Sequence, residues 1–375
     1  MSIEEWGLVL KQKDRAIVVT NPMIAANKSS EVTLGKFLRV IAGAHKSIKV
    51  IGGNLHLPDD LMHVELCNHA IQRAPSKARR MLNILTLQCK MALSVLKYAT
   101  PNHRIFFWIG DKMILPYLAA KLKRSEVNYF IYGNVAKEGN SGRLVKLSVQ
   151  LVQWMAKHAD YTCAESPGVF DEWPNLKVCR KRIIHLYTEC VEMAELSERQ
   201  NIIGMLCRVA PGKHVIESIK AFETFHKSNS EWSMEIVGSG VQEAECNRLI
   251  EELSATEYIK MYGWIDHDKL QSITCRWKYL LFPTDTEGLP NSVIELMGKG
   301  IPAIASPVGG VKDIVIHEHN GWIIDEPTVN SIMTTLENAV SAPAYSHIAL
   351  HACQSITNTF SLDAAKRSVC RTLNN

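Results

Sequence analysis

Two cations and two carboxylates stand at short spacings in the second half of this sequence. Arg208 and Lys213 follow the apolar run NIIGMLC, and Glu287 and Glu295 flank a segment that contains Gly-Leu-Pro. Lysine and arginine beside a helix start suit phosphate, because free backbone N–H groups and the helix dipole also attract anions. A carboxylate accepts hydrogen bonds from hydroxyl groups. The two pairs therefore predict a site for a ligand that carries both phosphate and hydroxyl groups.

Glu295 favours a diol as its partner. It lies within the apolar sequence VIELM, where a buried carboxylate needs a polar group to bond with, and two hydroxyls can donate to one carboxylate. With Pro290 in the first turn of a helix, Glu287 would stand at the loop entrance and Glu295 inside the helix below the same cleft. Taken singly, a glycine turn or a surface cation has an ordinary structural explanation; their coincidence favours one site.

The elements that must position these residues follow a regular alternation. Short apolar runs ending in turn formers, typical of buried parallel strands, alternate with helical patterns such as 76–98 and 141–158. The predicted strands begin near Arg15, Ser47, Arg104, Asn128, Ala159 and Arg182, and again in NIIGMLC, WSMEIV, YIKMYG, KYLLF, IPAIAS and GWII. Such alternation implies an α/β fold with helices on both faces of parallel sheets.

The alternation pauses once, which predicts two domains. The polar stretch ECVEMAELSERQ at 189–200 is interpreted as a linker between a first domain, 1–188, and a second, 201–345. A helical segment, 346–375, is expected to pack back toward the first domain. Two doubly wound, Rossmann-like domains would face each other across a cleft, and ligands of such sheets bind outside the carboxyl ends of the strands.

Composition is that of a globular chain. The 375 residues are 46% hydrophobic and 21% charged, and no apolar run reaches the length that spans a bilayer. The first residues, MSIEEWGLVL, have acids before a short apolar patch, which is the wrong order for a secretory signal. The ten cysteines form no CxxC motif or zinc-type cluster, so small buried thiols in a reducing compartment are expected. The chain is predicted to be cytoplasmic.

At this point the residues resemble a family. The spacing of Glu287 and Glu295 resembles the E-x7-E signature of the retaining GT-B glycosyltransferases, the glycosyl transferases group 1 or family 4 set. The resemblance extends over 201–321. Its other motifs are the pair Arg208 and Lys213, VGSG at 237–240, GWIDHDKL at 263–270 and SPVGGVKDIV at 306–315.

The resemblance implies a nucleotide diphosphate sugar, UDP- or GDP-linked, as the donor substrate. Arg208 and Lys213 would hold the diphosphate, Glu287 would accept from sugar hydroxyls, and Glu295 would bind the ribose diol. The backbone near Ile265 would meet the base. The glycines of the second-domain turns, Gly238 and Gly240, would let backbone approach the ligand. The loop amides at Gly288, Leu289, Pro290, Asn291 and Ser292 would approach sugar and phosphate, with the proline contributing no N–H.

The same resemblance implies a metal-independent reaction that retains anomeric configuration and needs no cofactor. The acceptor would be a glycan or a lipid-linked sugar, as in polysaccharide or glycoconjugate biosynthesis. Two alternatives stay open. One is a GT-B nucleotide-sugar epimerase, which would be expected to lack the spaced glutamates. The other is a GT-B module that binds nucleotide sugar without turnover.

The first half departs from the family pattern. Many members carry a Gly-Gly loop after the first strand, where this chain has Asn21, Pro22 and then serines at 29 and 30. Many also carry a histidine after a later strand, where this chain has Tyr132 and Asn134. Asn21, Tyr132 and Asn134 are therefore the candidate acceptor-side residues, and a core role for Tyr132 is the alternative.

Positive charge is concentrated in the first half. Residues 73–124 hold eleven Lys and Arg and one acid, Asp111, although the whole chain has a net charge of only +4. Basic amphipathic helices suit an anionic membrane surface. Two interpretations remain open: a peripheral membrane face, or an ordinary helix with a solvated basic side. No recognised nucleic-acid motif accompanies the charge, so nucleic acid is not an expected partner.

Overall fold

The computed structural model describes residues 13–22, 28–61, 63–72, 76–110, 112–133, 142–176, 179–189, 193 and 195–374, without the side chains at 28–30, 77, 143, 144, 267 and 268. Two parallel sheets dominate these residues. The first has seven strands: β1 Arg15–Val19, β2 Ser47–Gly53, β3 Glu65–His69, β4 His103–Phe107, β5 Glu126–Phe130, β6 Tyr161–Ala164 and β7 Lys181–Ile183. The second has six: β8 Ile202–Leu206, β9 Ser233–Val237, β10 Ile259–Gly263, β11 Tyr279–Phe282, β12 Ala303–Ala305 and β13 Gly321–Ile323.

Both sheets are doubly wound. The strand order is β3-β2-β1-β4-β5-β6-β7 in the first sheet and β10-β9-β8-β11-β12-β13 in the second, with parallel pairing throughout. The order reverses between β1 and β4, and between β8 and β11. A crevice opens at such a reversal, at the carboxyl ends of the strands.

Helices cover both faces of the sheets. They are α1 Lys28–Ile41, α2 Lys77–Tyr98, α3 Ile114–Leu122, α4 Arg143–His158, α5 Val215–His226, α6 Glu243–Glu252, α7 His267–Thr274, α8 Asn291–Gly298, α9 Val329–Ser341, α10 Tyr345–Phe360 and α11 Leu362–Asn374. The start of α2 is capped by Ser76, whose side chain accepts from the Arg79 amide. The predicted helix 76–98 therefore begins where its serine cap indicates.

Sequence and structure differ most at the sheet edge. The central strands are buried on both faces, as their continuous apolar runs predict. β3, with the sequence ELCNH, carries no apolar run because it is an edge strand with several exposed residues, and the sequence pattern missed it.

The chain crosses between the two sheets twice. After β7 it passes to the second sheet, and after α10 it returns, because α10 packs on α8 whereas Val369 and Leu373 of α11 join the core of the first domain. The two crossings are adjacent: the Thr188 amide donates to the Phe360 carbonyl at 2.9 Å. The boundaries predicted at 188, 200 and 345 remain predictions.

Candidate functional site

The reversal point of the second sheet forms one wall of a cavity of about 450 Å³. Segments after β8 and β11 supply most of its lining. The lining residues are Gly133, Leu206, Cys207, Arg208, Lys213, Phe282, Thr286, Glu287, Gly288, Leu289, Pro290, Asn291 and Ser292. Cations, a carboxylate and a helix start that lie far apart in sequence therefore meet in one place.

Lys213 and Glu287 form an ion pair in this cavity. The Lys213 Nζ also donates to Thr284 Oγ1 at 3.1 Å, and the two charged side chains are 12% and 20% exposed. The loop after β8 is held to the loop after β11 by the amide of Asp285, which donates to the Gly212 carbonyl at 3.0 Å. The two predicted site residues are thus in direct contact with each other.

Arg208 lies at the same cavity with an exposed side chain. The turn Gly238-Ser239-Gly240 packs behind it and is not part of the cavity lining. Gly238 has φ of +137°, and a Cβ there would lie 1.8 Å from the Cys207 carbonyl oxygen. A Cβ at Gly240 would lie 2.0 Å from the Val209 carbonyl oxygen. These glycines let the turn support the backbone on either side of Arg208; a direct ligand contact for them remains a prediction.

The start of α8 supplies backbone donors. Pro290 is the N-cap residue and the helix begins at Asn291, one residue later than the sequence prediction. Ile294 makes the first helical bond, to the Pro290 carbonyl at 3.1 Å. The amides of the first turn at Asn291 and Ser292 precede it, and both residues line the cavity. The preceding loop is fixed by the Gly310 amide, which donates to the Gly288 carbonyl at 2.7 Å.

Glu295 lies one turn further along α8, in the wall of a second cavity of about 290 Å³. This cavity shares Leu206 with the first one, so the two are neighbours. The Glu295 carboxylate pairs with Lys36 of α1 in the first domain, at 3.4 Å, and is 29% exposed. The structure thus gives Glu295 a cationic partner from across the cleft.

Ile265 follows β10 near this second cavity. Its side chain is partly buried against the same hydrophobic core that Leu270 joins, and Leu270 lines the second cavity. The preceding Trp264 is 71% exposed. Ile265 therefore shares a hydrophobic core with a residue of the second cavity wall.

The first domain contributes backbone and aromatic groups. Tyr132 accepts a hydrogen bond from the Ile109 amide at 3.0 Å and stacks on Phe130, with ring centroids 6.4 Å apart. Its neighbour Gly133 reaches the cavity. Asn21 lies after β1, and its amide donates to the Ile109 carbonyl at 3.2 Å. Asn134 lies outside the described residues.

Two buried acids of the first domain were missed from the sequence. Glu165, directly after β6, and Glu172 are both buried, and Thr286 donates to Glu172. Burial, together with the charge of Glu287, raises the pKa of Glu165 to about 8. The available signal was an acidic residue at the end of a predicted apolar strand, in YTCAES.

Two kinds of feature are absent from the described residues. Within those ranges, no three or more His, Cys, Asp or Glu side chains are grouped so that they could hold a metal ion. In the same part of the chain, no helix has both the length and the apolar character needed to cross a bilayer.

Part of the second half of the chain is similar to a known family. Residues 191–350 match the family described as "Glycosyl transferases group 1". A protein of Haemophilus influenzae named "Uncharacterized glycosyltransferase" is 29% identical over 132 residues, 33% of this chain and 35% of its own length. The lipopolysaccharide 1,6-galactosyltransferase of Salmonella typhimurium is 25% identical over 134 residues, 34% of this chain and 36% of its own length. The matches therefore span about a third of these relatives.

Solved structures resemble the whole chain. HepE of Anabaena, solved in complex with UDP and glucose, superposes with a TM-score of 0.73 at 15% identity, covering 96% of this chain and 99% of that one. Sucrose-phosphate synthase of Thermosynechococcus elongatus superposes with a TM-score of 0.72 at 16% identity, covering 95% and 97%. At these identities the likeness concerns the fold, and it confirms the predicted pair of Rossmann-like domains. The chain thus has the GT-B fold, and its residues 191–350 match the glycosyl transferases group 1 family.

Proposed function

We propose that this protein is a retaining, metal-independent glycosyltransferase. It transfers a sugar from a UDP- or GDP-linked donor to a glycan or lipid-linked acceptor, in the synthesis of a polysaccharide or glycoconjugate. The observation that carries the proposal is the convergence of Arg208, Lys213, Glu287 and the start of α8 on one cavity between two GT-B domains. The diphosphate binds Arg208, Lys213 and the α8 amides, and the sugar lies against Glu287.

The charge that develops in the reaction explains this arrangement. As the bond between sugar and phosphate breaks, negative charge grows on the diphosphate and positive charge on the anomeric carbon. Fixed cations and backbone amides stabilise the leaving diphosphate more strongly than the bound substrate, which lowers the barrier. The acceptor attacks from the face that the diphosphate leaves, and the departing phosphate takes the acceptor proton. Glu287 orients the sugar.

The Lys213–Glu287 ion pair fits this role. A cation shared between a phosphate and a carboxylate places the diphosphate and the sugar at a fixed separation, because both groups then bind the same ion pair. Thr284 holds the Lys213 ammonium from the opposite side. The second cavity, with Glu295 and Ile265 beside it, receives the nucleoside, and Glu295 exchanges Lys36 for the ribose diol.

The comparisons support the reaction class and leave donor and acceptor to experiment. The relatives named above include a lipopolysaccharide galactosyltransferase, and HepE was solved with UDP and glucose. That activity and those ligands belong to the named relatives. A thermal-shift panel of UDP, GDP, ADP, UDP-glucose, GDP-mannose and ADP-glucose, each with and without EDTA, tests the proposal on this chain. A ligand at about 100 times its dissociation constant adds about 2.7 kcal/mol to stability.

We expect a shift with one nucleotide family that EDTA does not change. A shift that EDTA abolishes would contradict metal independence. Stereochemistry is read from the product anomer by NMR once transfer is observed, and an inverted anomer would contradict the retaining mechanism. No shift with any nucleotide would contradict the proposed donor class.

A binding module without turnover is the second candidate, and the loop after β1 favours it. Asn21 and Pro22 stand where many family members have glycines, so a donor phosphate meets side chains there. Hydrolysis of the donor that binds, compared between the parent and Glu287→Ala, separates the two candidates. The enzyme predicts hydrolysis or transfer that the substitution abolishes; the module predicts binding without either.

We further propose that α2 and α3 dock this protein on the cytoplasmic face of an anionic membrane. The two helices pack together and expose several large apolar side chains. These are Met81 (74%), Leu82 (61%), Leu85 (53%), Leu93 (67%) and Leu122 (75%). Arg79, Arg80 and Lys90 of α2 are exposed along the same helix. An apolar face with adjacent cations matches the interface of an anionic bilayer.

Vesicle sedimentation tests the docking. Parent protein should bind phosphatidylglycerol vesicles and not phosphatidylcholine vesicles, and salt should weaken the binding. Replacing Arg79, Arg80 and Lys90 with Gln should lower the affinity by tenfold or more, since each basic residue near the surface contributes about 1 kcal/mol. The matched control replaces Lys220 and Lys227 of the second domain. Equal binding by both variants would refute the docking face.

A further inference from the structure

Glu165 is a buried acid that the reaction proposed above leaves unused. It follows β6, is 8% exposed, and in the described part of the chain no protein group forms a hydrogen bond with its carboxyl group. Among the described residues the Glu165 oxygens have no partner but are not fully enclosed, so they keep some accessible surface. An unpaired carboxyl group in such a place costs stability, which points to a functional reason for it.

The carboxyl group lies next to two residues that line the cavity. A Cβ built on Gly288 would be 3.8 Å from Glu165 Oε2 and 3.9 Å from the Gly133 amide nitrogen. Gly133 and Gly288 both line the cavity. The wall at this point consists of two glycines, whose lack of side chains leaves Glu165 close to the space where the sugar would lie beside Glu287.

The two neighbouring acids have different surroundings. Burial and then the charge of Glu287 raise the pKa of Glu165 to about 8, so that its carboxyl group is mainly neutral at pH 7. Glu287 is held by the ammonium group of Lys213. A neutral carboxyl donates a hydrogen bond and a carboxylate accepts one, whereas a sugar hydroxyl does both.

We propose that Glu165 is a specificity-determining residue of this site, donating a hydrogen bond to a hydroxyl of the transferred sugar that in turn donates to Glu287. The inference rests on the proposed function. It adds that the first domain recognises the sugar part of the donor. Glu165 recognises the sugar and makes no contribution to binding the nucleotide. Binding of a nucleoside diphosphate alone is therefore unaffected by its loss.

Other titratable groups lie on elements next to β6 and on the second-domain loops, and their charges are considered for the pH dependence of Glu165. They lie on the loop after β5, on the short helix at 167–172, on the segment after β7 and on the second-domain loops. These groups are Tyr132, Asp171, Glu172, His185, Lys213, Glu287, Lys312 and Asp313. Lys312 pairs with Asp171, and Asp313 accepts from Ser166 Oγ at 2.5 Å and from the Gly168 amide at 2.7 Å.

Calorimetric titration of the parent, Glu165→Gln, Glu165→Ala and the exposed control Glu257→Gln tests the inference. The probes are UDP with UDP-glucose and GDP with GDP-mannose, at pH 6.5 and pH 9. The quantity compared is the ratio of sugar-nucleotide affinity to nucleotide affinity. We expect Glu165→Ala to lower this ratio at least fivefold while nucleotide affinity stays constant. Glu165→Gln, which keeps a donor, should retain the ratio.

The pH arm separates this role from a structural one. In the parent, the ratio of sugar-nucleotide affinity to nucleotide affinity should fall between pH 6.5 and pH 9 as Glu165 ionises. In Glu165→Gln the ratio should stay constant. An unchanged ratio in Glu165→Ala, or the same pH response in parent and Glu165→Gln, would overturn the inference. A parent that binds none of the nucleotides would instead overturn the proposed function. Because Glu165→Gln preserves shape, the pH comparison stands even where Glu165→Ala folds poorly.

Discussion

At the scale of single residues, the charged side chains at the cavity lie next to one another and influence each other. Lys213 lies between Thr284 and Glu287, and burial together with the charge of Glu287 raises the pKa of Glu165. The sequence predicted Lys213 and Glu287 individually, because their types and spacing match a family motif. It did not predict their contact or the presence of Glu165, since neither follows from spacing when the partners are 74 and 122 residues apart.

Lys213→Ala tests the phosphate role. Removing the ammonium group should weaken nucleotide diphosphate binding, and turnover where it is measured, by tenfold or more, about 1.4 kcal/mol. The control is Lys227→Ala, which removes a lysine that also pairs with a glutamate, Glu223 at 2.8 Å, but lies outside the cavity. Calorimetry with UDP and GDP measures the effect; equal affinities for both variants would take Lys213 out of the phosphate site.

Glu165 also makes a prediction about stability. Its pKa is higher in the folded chain than in the unfolded one, so the folded state binds more protons, and stability falls as pH rises from about 4.5 to about 8. Glu165→Gln removes this loss. The melting temperature of the variant minus that of the parent should therefore become more positive from pH 5 to pH 8. A constant difference would show that the folded-state pKa is not raised.

At the scale of elements, the parallel strands were predictable because their apolar runs are continuous. The edge strand β3 and the exact start of α8 were not, because an exposed edge has no such pattern and a proline is compatible with either side of a helix start. The turn at 238–240 shows a further limit. Its glycines were predicted to let backbone approach a ligand, which remains a prediction, whereas their packing on the backbone of residues 207–209 was not predicted.

Gly238→Ala tests that packing. A Cβ would lie 1.8 Å from the Cys207 carbonyl oxygen on a backbone with φ of +137°, so the turn must shift. We expect a loss of more than about 1 kcal/mol in the free energy of unfolding, with weaker nucleotide binding through Arg208. Chemical denaturation measures the first and calorimetry the second. Ser239→Ala serves as the control, and equal stability of the two variants would contradict the steric argument.

A buried ion network joins strands of the first sheet. Burial alone would raise the pKa of Glu126, but the hydrogen bond from Arg182 at 2.6 Å and the charge of Arg104 lower it to about 2. Its contribution to stability is present above about pH 4.5 and is lost as pH falls toward 2. Glu126→Gln should cost about 3 kcal/mol at pH 7, and less at pH 3, by urea denaturation. An equal cost at both values would argue against a lowered pKa.

At the scale of the whole molecule, the two crossings of the chain lie side by side. The Thr188 amide bonds to the Phe360 carbonyl, and the rings of His185 and Phe360 are 4.9 Å apart. Away from these crossings, the domains meet across the cleft through Lys36 with Glu295 and through Ser166 with Asp313. Contacts of this kind can be exchanged without disturbing either core, which suits a cleft that admits a ligand.

α11, the helix after the second crossing, packs in the core of the first domain and contributes to the stability of that domain. Leu373 is 2% exposed in that core, and its carbonyl accepts from Arg104. Leu373→Ala should cost about 2–4 kcal/mol, and hydrogen exchange should show lost protection in the first domain alone. Ile356→Ala on α10 is the matched control, with loss in the second domain. Loss of protection in the second domain for Leu373→Ala would contradict this assignment.

The position of α11 has a consequence for synthesis on the ribosome. The chain emerges from its amino end, so the sheet β1–β7 is complete long before the helix that covers one of its faces has been translated. Throughout translation of the second domain, the hydrophobic cluster around Phe37 lacks its α11 members Ala365, Val369 and Leu373. The first domain to be made is thus finished only after the second, and its full stability depends on the synthesis of α11.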